Sequence, residues 1–275
     1  MNTSLSLYKK KIKDLWPDSQ EMLTEFIFYI KETLNIKDTS IYLDDDYYLS
    51  KKEQEAIEIF IKHKKDGVPF DYILNKSSFY GNDFYVDSRV LIPRPETELL
   101  VDYINKLNLQ KGKIVLDAGT GSGCIGITLA IHNPEIQVFG IDFSKESLEV
   151  AQKNKNNLKV NNFSTIHSDW LSSLENMSFD VIVSNPPYIS PNDPHLKDLE
   201  HEPLEALVAL DEGLQDFKTI SKQAYSKLRK GGMLIFEHGF NQAKNVSEIL
   251  KENGFDNIES FKDHQSHLRI TKGII

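Results

Sequence analysis

The sequence predicts an α/β protein with a mostly parallel sheet, and two observations support this fold class. From residue 112 onward, short apolar runs of strand length alternate with longer amphipathic segments of helix length. Such alternation is typical of parallel strands whose connecting helices cover both faces of the sheet. The chain of 275 residues is also long enough for one large domain and one small domain.

Residues 1–75 predict a small helical bundle. Apolar residues recur there at helical spacing, with Lys and Glu between them, in SLYKKKIKDLW, QEMLTEFIFYIKETLNI and SKKEQEAIEIFIKHKKDG. Ser50 followed by Glu53 predicts a capping box at the start of the third segment. The charged faces fit either plain solvated surface or the docking of a partner, and by analogy with appended domains we expect substrate recognition.

A β-hairpin is predicted next, within a linker that spans residues 76–95. The segment 72–92 is rich in aromatic and β-branched residues, and the letters GND at 81–83 lie between two such runs. Residues 96–275 then form the predicted large domain.

The large domain alternates regularly between predicted strands and helices. Predicted strands are KIVLDAG, QVFGID, FSTIHSD, FDVIVSN, GGMLIFEHG, DNIESFKD and SHLRITKG. Predicted helices are GCIGITLAIHN, SKESLEVAQKNKNN, GLQDFKTISKQAYSKL and NQAKNVSEILKENG. Open sheets of this kind bind ligands beyond the carboxyl ends of their strands, so the loops that follow the strands carry the predicted function.

Composition and charge exclude several classes of function. The formal net charge of −9 argues against broad capture of nucleic acid, which requires a basic face. A single cysteine, Cys124, rules out an internal disulfide framework or a cysteine-rich metal site. The N-terminus has no secretory signal and no stretch is long enough to span a bilayer, so we expect a cytoplasmic protein without membrane contact.

The loop LDAGTGSGCIG, at 116–126, predicts a nucleotide-type cofactor site. Gly121, Gly123 and Gly126 match a dinucleotide pattern, and Asp142 follows at the expected distance. Asp117 disfavours a pyrophosphate, because two like charges ~4 Å apart at an effective dielectric constant of ~20 cost about 4 kcal/mol. A cationic cofactor without phosphates, S-adenosylmethionine, suits the loop better.

Two further strand ends supply candidate contacts for this cofactor. Asp142 can accept hydrogen bonds from both ribose hydroxyls. Asp169 can accept from an adenine amine or simply cap a helix, and Trp170 can cover the adenine face or belong to the core.

The letters NPPY follow the fourth predicted strand and indicate the reaction. Asn185 offers a side-chain oxygen, and the rigid turn at Pro186 and Pro187 offers a carbonyl that no following helix uses. Two acceptors match the two hydrogens of an NH₂ group, so they would hold its nitrogen and favour pyramidalisation toward a methyl donor. Tyr188 could stack on the planar group behind that nitrogen.

The chain resembles the peptide chain release factor glutamine methyltransferases over nearly its whole length. The similar segments are FYGNDFYVDSRVLIPRPETE, DAGTGSGCI, SNPPYI, HEPLEALVALDEGL and LIFEHGFNQ. NPPY alone is shared with enzymes that methylate the exocyclic amine of adenine, whereas IPRPETE together with EPLEAL is much more specific. Asn75 stands where the family usually has glycine.

This resemblance implies a Rossmann-like class I methyltransferase domain with a seven-stranded sheet. Family members methylate the side-chain amide of the glutamine in the Gly-Gly-Gln motif of class 1 release factors, which supports translation termination. The implied catalytic residues are Asn185 and Pro186, and the implied substrate-binding residues are Asn185, Pro186, Pro187 and Tyr188. The implied cofactor-binding residues are Gly119, Thr120, Gly121, Ser122, Gly123, Asp142, Trp170 and Asn185.

Several points remain open at this level. Arg94 and Glu96 lie near the expected site with either a functional role or a salt bridge that holds the linker, and His238 fits a structural hydrogen bond better than acid–base work. The alternatives are an adenine-specific nucleic acid methyltransferase, a glutamine methyltransferase for a ribosomal protein, and a non-catalytic binding protein. We expect a monomer that contacts neither nucleic acid nor a metal.

Overall fold

A computed structural model of the protein describes residues 3–42, 47–175 and 177–275. The chain divides into two compact units, Met1–Lys76 and Ser77–Ile275. Within the described ranges, no helix is both long and apolar enough to cross a membrane.

The first unit is helical. Its helices are α1 (Leu5–Leu15), α2 (Gln20–Leu34), α3 (Asp38–Tyr42), α4 (Lys51–Lys65) and α5 (Phe70–Leu74). The predicted capping box is confirmed, because Ser50 and Glu53 exchange side-chain-to-backbone hydrogen bonds at the start of α4. Phe26, Tyr29 and Phe60 meet in its buried core. The short helices α3 and α5 have too few residues for a periodic signal, so the sequence did not predict them.

Asn75 caps the end of α5 in the left-handed conformation, with φ of 52°. Glycine adopts this conformation most readily, and asparagine tolerates it better than most other residues. The departure from the usual family glycine therefore preserves the local backbone geometry.

The predicted hairpin is present, with a shorter turn than expected. Strands β1 (Ser77–Phe79) and β2 (Asn82–Phe84) pair antiparallel. The turn residues are Tyr80 and Gly81, both with positive φ, and not the three-residue segment that begins at Gly81. A two-residue turn of this hand matches the twist of the flanking strands. Phe79 and Phe84 are buried in the core of the second unit.

The second unit contains the predicted alternation of strands and helices. Its helices are α6 (Glu98–Lys106), α7 (Cys124–His132), α8 (Lys145–Asn157), α9 (Leu210–Gly213), α10 (Gln215–Tyr225) and α11 (Ala243–Glu252). Its further strands are β3 (Ile114–Ala118), β4 (Gln137–Asp142), β5 (Phe163–His167), β6 (Phe179–Ser184), β7 (Leu228–Glu237), β8 (Asp256–Lys262) and β9 (Leu268–Ile274). Helix α6, the distorted turn α9 and the 3₁₀ segments Pro95–Thr97, Pro194–Leu199 and Leu204–Ala206 were not predicted.

Among the described residues, seven strands form one sheet in the order β5-β4-β3-β6-β7-β9-β8. The first five are parallel, whereas β9 pairs antiparallel with both β7 and β8. The predicted fold class, an α/β protein with a mostly parallel seven-stranded sheet, is confirmed. Strand β3 lies between β4 and β6. The chain runs from β3 to β4 on one side, and β6 lies on the other side of β3. The loops that follow β3 and β6 therefore diverge, which makes this position a topological switch point.

Two apolar clusters lie on the two faces of this sheet. One packs α6 and α7 against it, and the other packs α10 and α11. Helix α7 is apolar all round and is buried from Cys124 to Ala130, as its sequence suggests. The strands are therefore held rigidly, and their carboxyl ends present fixed positions for the loops.

The hairpin turn yields a first prediction. Gly81→Ala should lower the free energy of unfolding by about 1 kcal/mol, because an alanine is strained at positive φ. A Cβ at this position meets no atom within 4 Å, so the cost is one of backbone conformation alone.

The matched control is Gly81→Asn, since asparagine tolerates this region of φ. Urea unfolding followed by circular dichroism should show a clearly smaller shift of the midpoint for Asn than for Ala. Equal shifts for the two variants would contradict the assignment of the turn.

Candidate active site

A cavity of about 400 Å³ opens at the carboxyl edge of the sheet, beside the switch point. Six of the predicted site residues line it: Gly119, Gly121, Asp142, Trp170, Asn185 and Pro187. Five others are not among the described residues that line it: Thr120, Ser122, Gly123, Pro186 and Tyr188. The structure thus brings the ends of β3, β4, β5 and β6 together around one space of the size that small-molecule sites have.

The strand register explains this convergence. Ala118 and Ser184 are partners in the β3–β6 ladder, and the Ser184 hydroxyl donates to the Ala118 carbonyl at 2.6 Å. Gly119 and Asn185 each follow by one residue and therefore leave the sheet side by side. On the other side of β3, the Gly119 and Thr120 amides both donate to the Ile141 carbonyl, which holds the loop against the end of β4.

Gly119 shows why this loop requires glycine. Its φ is 76°, and a Cβ built there would lie 3.3 Å from the Trp170 ring. A side chain would therefore strain the backbone and press on the indole that closes this end of the cavity.

The interpretation of Asp117 as a carboxylate that faces the cofactor is wrong. Asp117 is fully buried beneath the loop, where its Oδ2 accepts from the Thr120 hydroxyl at 2.6 Å and from the Gly126 amide at 2.9 Å. Burial raises the pKa of Asp117 to about 6. The residue therefore braces the loop from below, and other carboxylates determine the charge of the cavity.

Those carboxylates line the cavity itself. Asp142, Asp169, Glu205 and Asp216 surround the space, whereas its guanidinium, Arg89, is engaged elsewhere. Arg89 donates to both carboxylate oxygens of Asp87 and to Glu149. An excess of negative charge favours a cationic ligand over a phosphate-bearing one, so the conclusion drawn from Asp117 stands on different residues.

Backbone amides hold the Asp142 carboxylate in place, and the carboxylate can accept further hydrogen bonds. Its Oδ2 accepts from the Gly121 amide and its Oδ1 from the Ser144 amide, both at 2.9 Å. An ionised carboxylate has about four acceptor positions, so these amides leave capacity for a ligand that bears hydroxyls. Burial raises the pKa of Asp142, and the nearby Glu205 carboxylate adds to the increase, whereas the backbone amides oppose it.

Trp170 is fixed by a partner that the sequence did not reveal. Its Nε1 donates to Asp216 Oδ1 at 3.1 Å, and its backbone has a φ of 46°, which is unusual for a bulky residue. Asp216 comes from α10, in a segment without a motif. Non-glycine residues at positive φ are concentrated at functional sites, where surrounding contacts hold them.

Asn185 is oriented by a residue from the IPRPETE segment. Its Nδ2 donates to Thr97 Oγ1 at 3.2 Å, and Thr97 is almost completely buried. With Nδ2 engaged, the side-chain oxygen Oδ1 is the atom left to accept a hydrogen bond.

The other two residues of the NPPY turn lie deeper. Pro186 is buried, and the Tyr188 carbonyl accepts from Gln242 Nε2 at 3.1 Å. Burial raises the pKa of Tyr188 to about 12, and the Glu237 carboxylate contributes to the shift. Tyr188 is therefore a neutral phenol.

Arg94 forms the salt bridge that we weighed for the linker. Its guanidinium donates to Glu202 Oε1, and Glu202 Oε2 accepts from the Ile92 amide at 3.0 Å. Glu202 belongs to the EPLEAL segment and is nearly buried. The ion pair therefore joins the two segments that distinguish this sequence from other NPPY proteins.

His238 has a structural environment. One ring nitrogen lies 2.9 Å from the Gly239 carbonyl and the other 2.8 Å from Thr271 Oγ1, and the side chain is fully buried. Burial lowers the pKa of His238, so the imidazole is neutral and both nitrogens are engaged. This supports the structural hydrogen bond over acid–base work.

Comparisons with known proteins agree with this geometry. A family model described as a methyltransferase domain matches residues 109–271. The release factor glutamine methyltransferase of Vibrio cholerae is 40% identical over 232 residues, which cover 83% of this chain and 81% of that protein. The chain belongs to this family. The corresponding enzyme of Escherichia coli is 34% identical over 227 residues, with 82% of each chain covered.

Solved structures place the fold in a wider group. A 16S rRNA N2 G1207 methyltransferase from T. thermophilus, solved with AdoMet and guanosine, superposes with a TM-score of 0.55 and 21% identity. The match covers 72% of this chain and 49% of that one. At this identity the likeness concerns the fold alone. The predicted membership of the release factor glutamine methyltransferase family and the predicted methyltransferase fold are both confirmed.

Sequence reasoning missed several residues that shape the site. Thr97, Glu202 and Glu205 lie in segments that carried the family resemblance, but their contacts depend on tertiary neighbours. Asp216 had no local signal at all. Among the described residues, no group of three or more His, Cys, Asp or Glu side chains is arranged to hold a metal ion.

The Arg94–Glu202 pair provides a second prediction. Arg94→Met should lower the free energy of unfolding by about 2 kcal/mol, because it leaves the Glu202 carboxylate buried without its cation. The maximal rate of methyl transfer should change by less than about threefold, since the pair holds the loops and lies outside the chemistry. Urea unfolding and initial rates at saturating substrate measure the two quantities.

The controls separate charge from packing. Arg94→Met combined with Glu202→Gln should recover part of the lost stability, because no buried charge is then left unpaired. A rate loss of about 10² with unchanged stability would instead place Arg94 at the substrate.

Proposed function

We propose that this protein transfers a methyl group from S-adenosyl-L-methionine to a glutamine side-chain amide nitrogen in class 1 peptide chain release factors. The target glutamine is that of the Gly-Gly-Gln motif, and the modification supports translation termination. The observation that carries this proposal is the placement of Asn185 at the cavity with its Nδ2 engaged by Thr97. The family of the chain supports the choice of substrate.

The residues around the cavity fit the proposed cofactor. Asp142 has acceptor positions for ribose hydroxyls, and Trp170 offers an aromatic face beside Gly119. The surrounding carboxylates favour a ligand with an ammonium and a sulfonium and without phosphate. When bound, this cofactor supplies an electrophilic methyl group on sulfur.

The nitrogen of the substrate carboxamide is a poor nucleophile, so the protein has to position it toward the methyl group. The lone pair of a carboxamide nitrogen is delocalised, and binding both N–H hydrogens in a fixed direction favours pyramidalisation. Asn185 Oδ1 and the Pro186 carbonyl are the two proposed acceptors, and Pro187 and Tyr188 shape the wall beside them. Holding the reacting groups in this geometry accounts for most of the expected acceleration.

The proposed reaction requires no strong base within the site. The methylated nitrogen is a far stronger acid than an ordinary amide, so it loses its extra proton to water without help from a side chain. The neutral, fully engaged His238 is consistent with such a mechanism.

The helical unit is proposed to help recognise the release factor. Several of its large apolar side chains are exposed, including Leu7, Phe28, Tyr42 and Ile59. Exposed apolar side chains of this size suit contact with a protein partner.

A labelling experiment tests the proposed function. The purified protein is incubated with methyl-labelled S-adenosylmethionine and either a class 1 release factor, a ribosomal protein fraction or an adenine-containing oligonucleotide. We expect label on the release factor, located by mass spectrometry on the glutamine of its Gly-Gly-Gln motif. Label on the oligonucleotide alone, or no affinity for the cofactor by calorimetry, would refute the proposal.

Replacement of Asn185 provides a third prediction. Asn185→Ala should lower kcat by ~10² or more, because it removes a positioned acceptor of the amide hydrogens. Cofactor affinity should stay within about threefold of the original, since Asp142 and the glycine loop keep their contacts. Initial rates and isothermal titration measure the two effects.

Asn192→Ala is the matched control, because this asparagine is exposed a few residues further along the same loop. It should retain full activity. Undiminished turnover of a release factor by Asn185→Ala would show that another group holds the substrate amide.

A further inference from the structure

A buried carboxyl group with no assigned role lies behind Asn185. Glu237 ends β7 and is only 2% exposed, and its Oε2 has no hydrogen-bond partner among the described residues. Such a group is costly to bury, so its retention calls for an explanation.

The sheet register places this carboxyl next to the NPPY turn. Ser184 of β6 is the ladder partner of Phe236 of β7, so Asn185 and Glu237 each follow by one residue at neighbouring strand ends. Thr97, at the start of α6, completes the group, since its hydroxyl accepts from Asn185 Nδ2 at 3.2 Å. Both Thr97 and Glu237 are buried.

A carboxamide poses an orientation problem that these neighbours can solve. The oxygen and nitrogen ends of Asn185 are nearly equal in size, and rotation by about 180° exchanges an acceptor for a donor. In the wrong orientation, the Asn185 NH₂ would confront the substrate NH₂, and no hydrogen bond would form.

We propose that Thr97 and Glu237 are positioning residues that keep Asn185 Oδ1, and not Nδ2, turned toward the substrate. An ionised carboxylate only accepts hydrogen bonds, so Glu237 draws the Thr97 hydroxyl proton and the Asn185 NH₂ group toward itself. The reversed amide would bring Asn185 Oδ1 against that carboxylate, with repulsion between two acceptors. This inference rests on the proposed function and adds to it the residues that make the turn selective for an NH₂ donor.

The electrostatic surroundings of Glu237 agree with this role. Burial raises the pKa of Glu237 to about 7, while the nearby polar groups of Thr97 and Asn185 and the Arg269 charge oppose the rise, and Glu96 adds to it. Tyr188 and Cys124 also interact with the Glu237 charge, and burial raises the pKa of each to about 12, so both stay neutral near pH 7. Glu237 therefore changes charge near pH 7, whereas Tyr188 and Cys124 do not.

Protonation would change Glu237 from a group that only accepts hydrogen bonds into one that can also donate. A neutral Glu237 can donate to Asn185 Oδ1 and so stabilise the unproductive orientation. We expect kcat to fall as pH decreases through about 7, the folded-state pKa of Glu237, while KM for the release factor changes little. Asp117 braces the glycine loop and burial raises its pKa to about 6, so we expect its protonation to cause a separate decrease at lower pH.

The first experiment compares two variants at position 97. Thr97→Val keeps the shape and removes the hydroxyl, so kcat should fall by ~10-fold to 10²-fold with cofactor affinity and KM preserved. Thr97→Ser restores the hydroxyl and should keep kcat within about threefold of the original. If the side chain has a purely structural role, the two variants should have similar kcat values. Alternatively, their stability should change without a decrease in kcat at constant KM.

The second experiment uses Glu237→Gln, which is isosteric and can donate to Asn185 Oδ1. It should lower kcat by ~10-fold or more and abolish the pH dependence near 7, leaving the decrease at lower pH. Retention of both the original kcat and the original profile would overturn the inference. If this variant fails to fold, the comparison of Val with Ser at position 97 decides the question.

The two proposals fail in distinguishable ways. If the unaltered protein does not methylate a release factor glutamine, the proposed function fails. If it does, and Thr97→Val is as active as Thr97→Ser, then the positioning role fails alone.

Discussion

The site depends on the pairing of β3 with β6. Ala118 and Ser184 are partners in that ladder, and the chain leaves the sheet in different directions after each of them. One consequence is that Gly119 and Asn185 emerge as neighbours with an open space between their loops. Parallel strands covered on both faces cannot shift by one residue without moving every side chain to the opposite face and disrupting both apolar clusters. The distance between the proposed cofactor loop and the proposed substrate turn is therefore set by the core.

Buried carboxyl groups provide a second common theme. Asp117 braces the glycine loop from below, Glu202 joins the linker to the loop after β6, and Glu237 lies behind the NPPY turn. Burial of a carboxylate is unfavourable unless backbone amides, hydroxyls or cations compensate. The partners of Asp117 lie in its own loop, whereas Glu202 is compensated by Ile92 and Arg94, which are distant in sequence, so that carboxyl group couples the geometry of two loops.

Much of the fold follows from local patterns. The strands and helices after residue 112 were predicted because apolar periodicity and length distinguish the two clearly in that region. The short helices α3 and α5 and the helix α6 escaped prediction, since five to nine residues give little periodic signal. The hairpin was predicted with its turn misplaced, because Tyr80 at positive φ is not a residue that the pattern suggests.

By itself, the sequence determined the α/β class, the strand ends that carry function and the family, because glycine spacing, the NPPY turn and the alternation of elements are local features. Only the tertiary structure decided which of those residues reach the cavity. Asp117 is a buried brace, Thr97 orients Asn185, and Asp216 fixes Trp170. The last two contacts join residues that are distant in sequence and whose proximity arises from packing and register. The direction of a side chain at a strand end depends on what surrounds it, and a linear pattern does not contain that information.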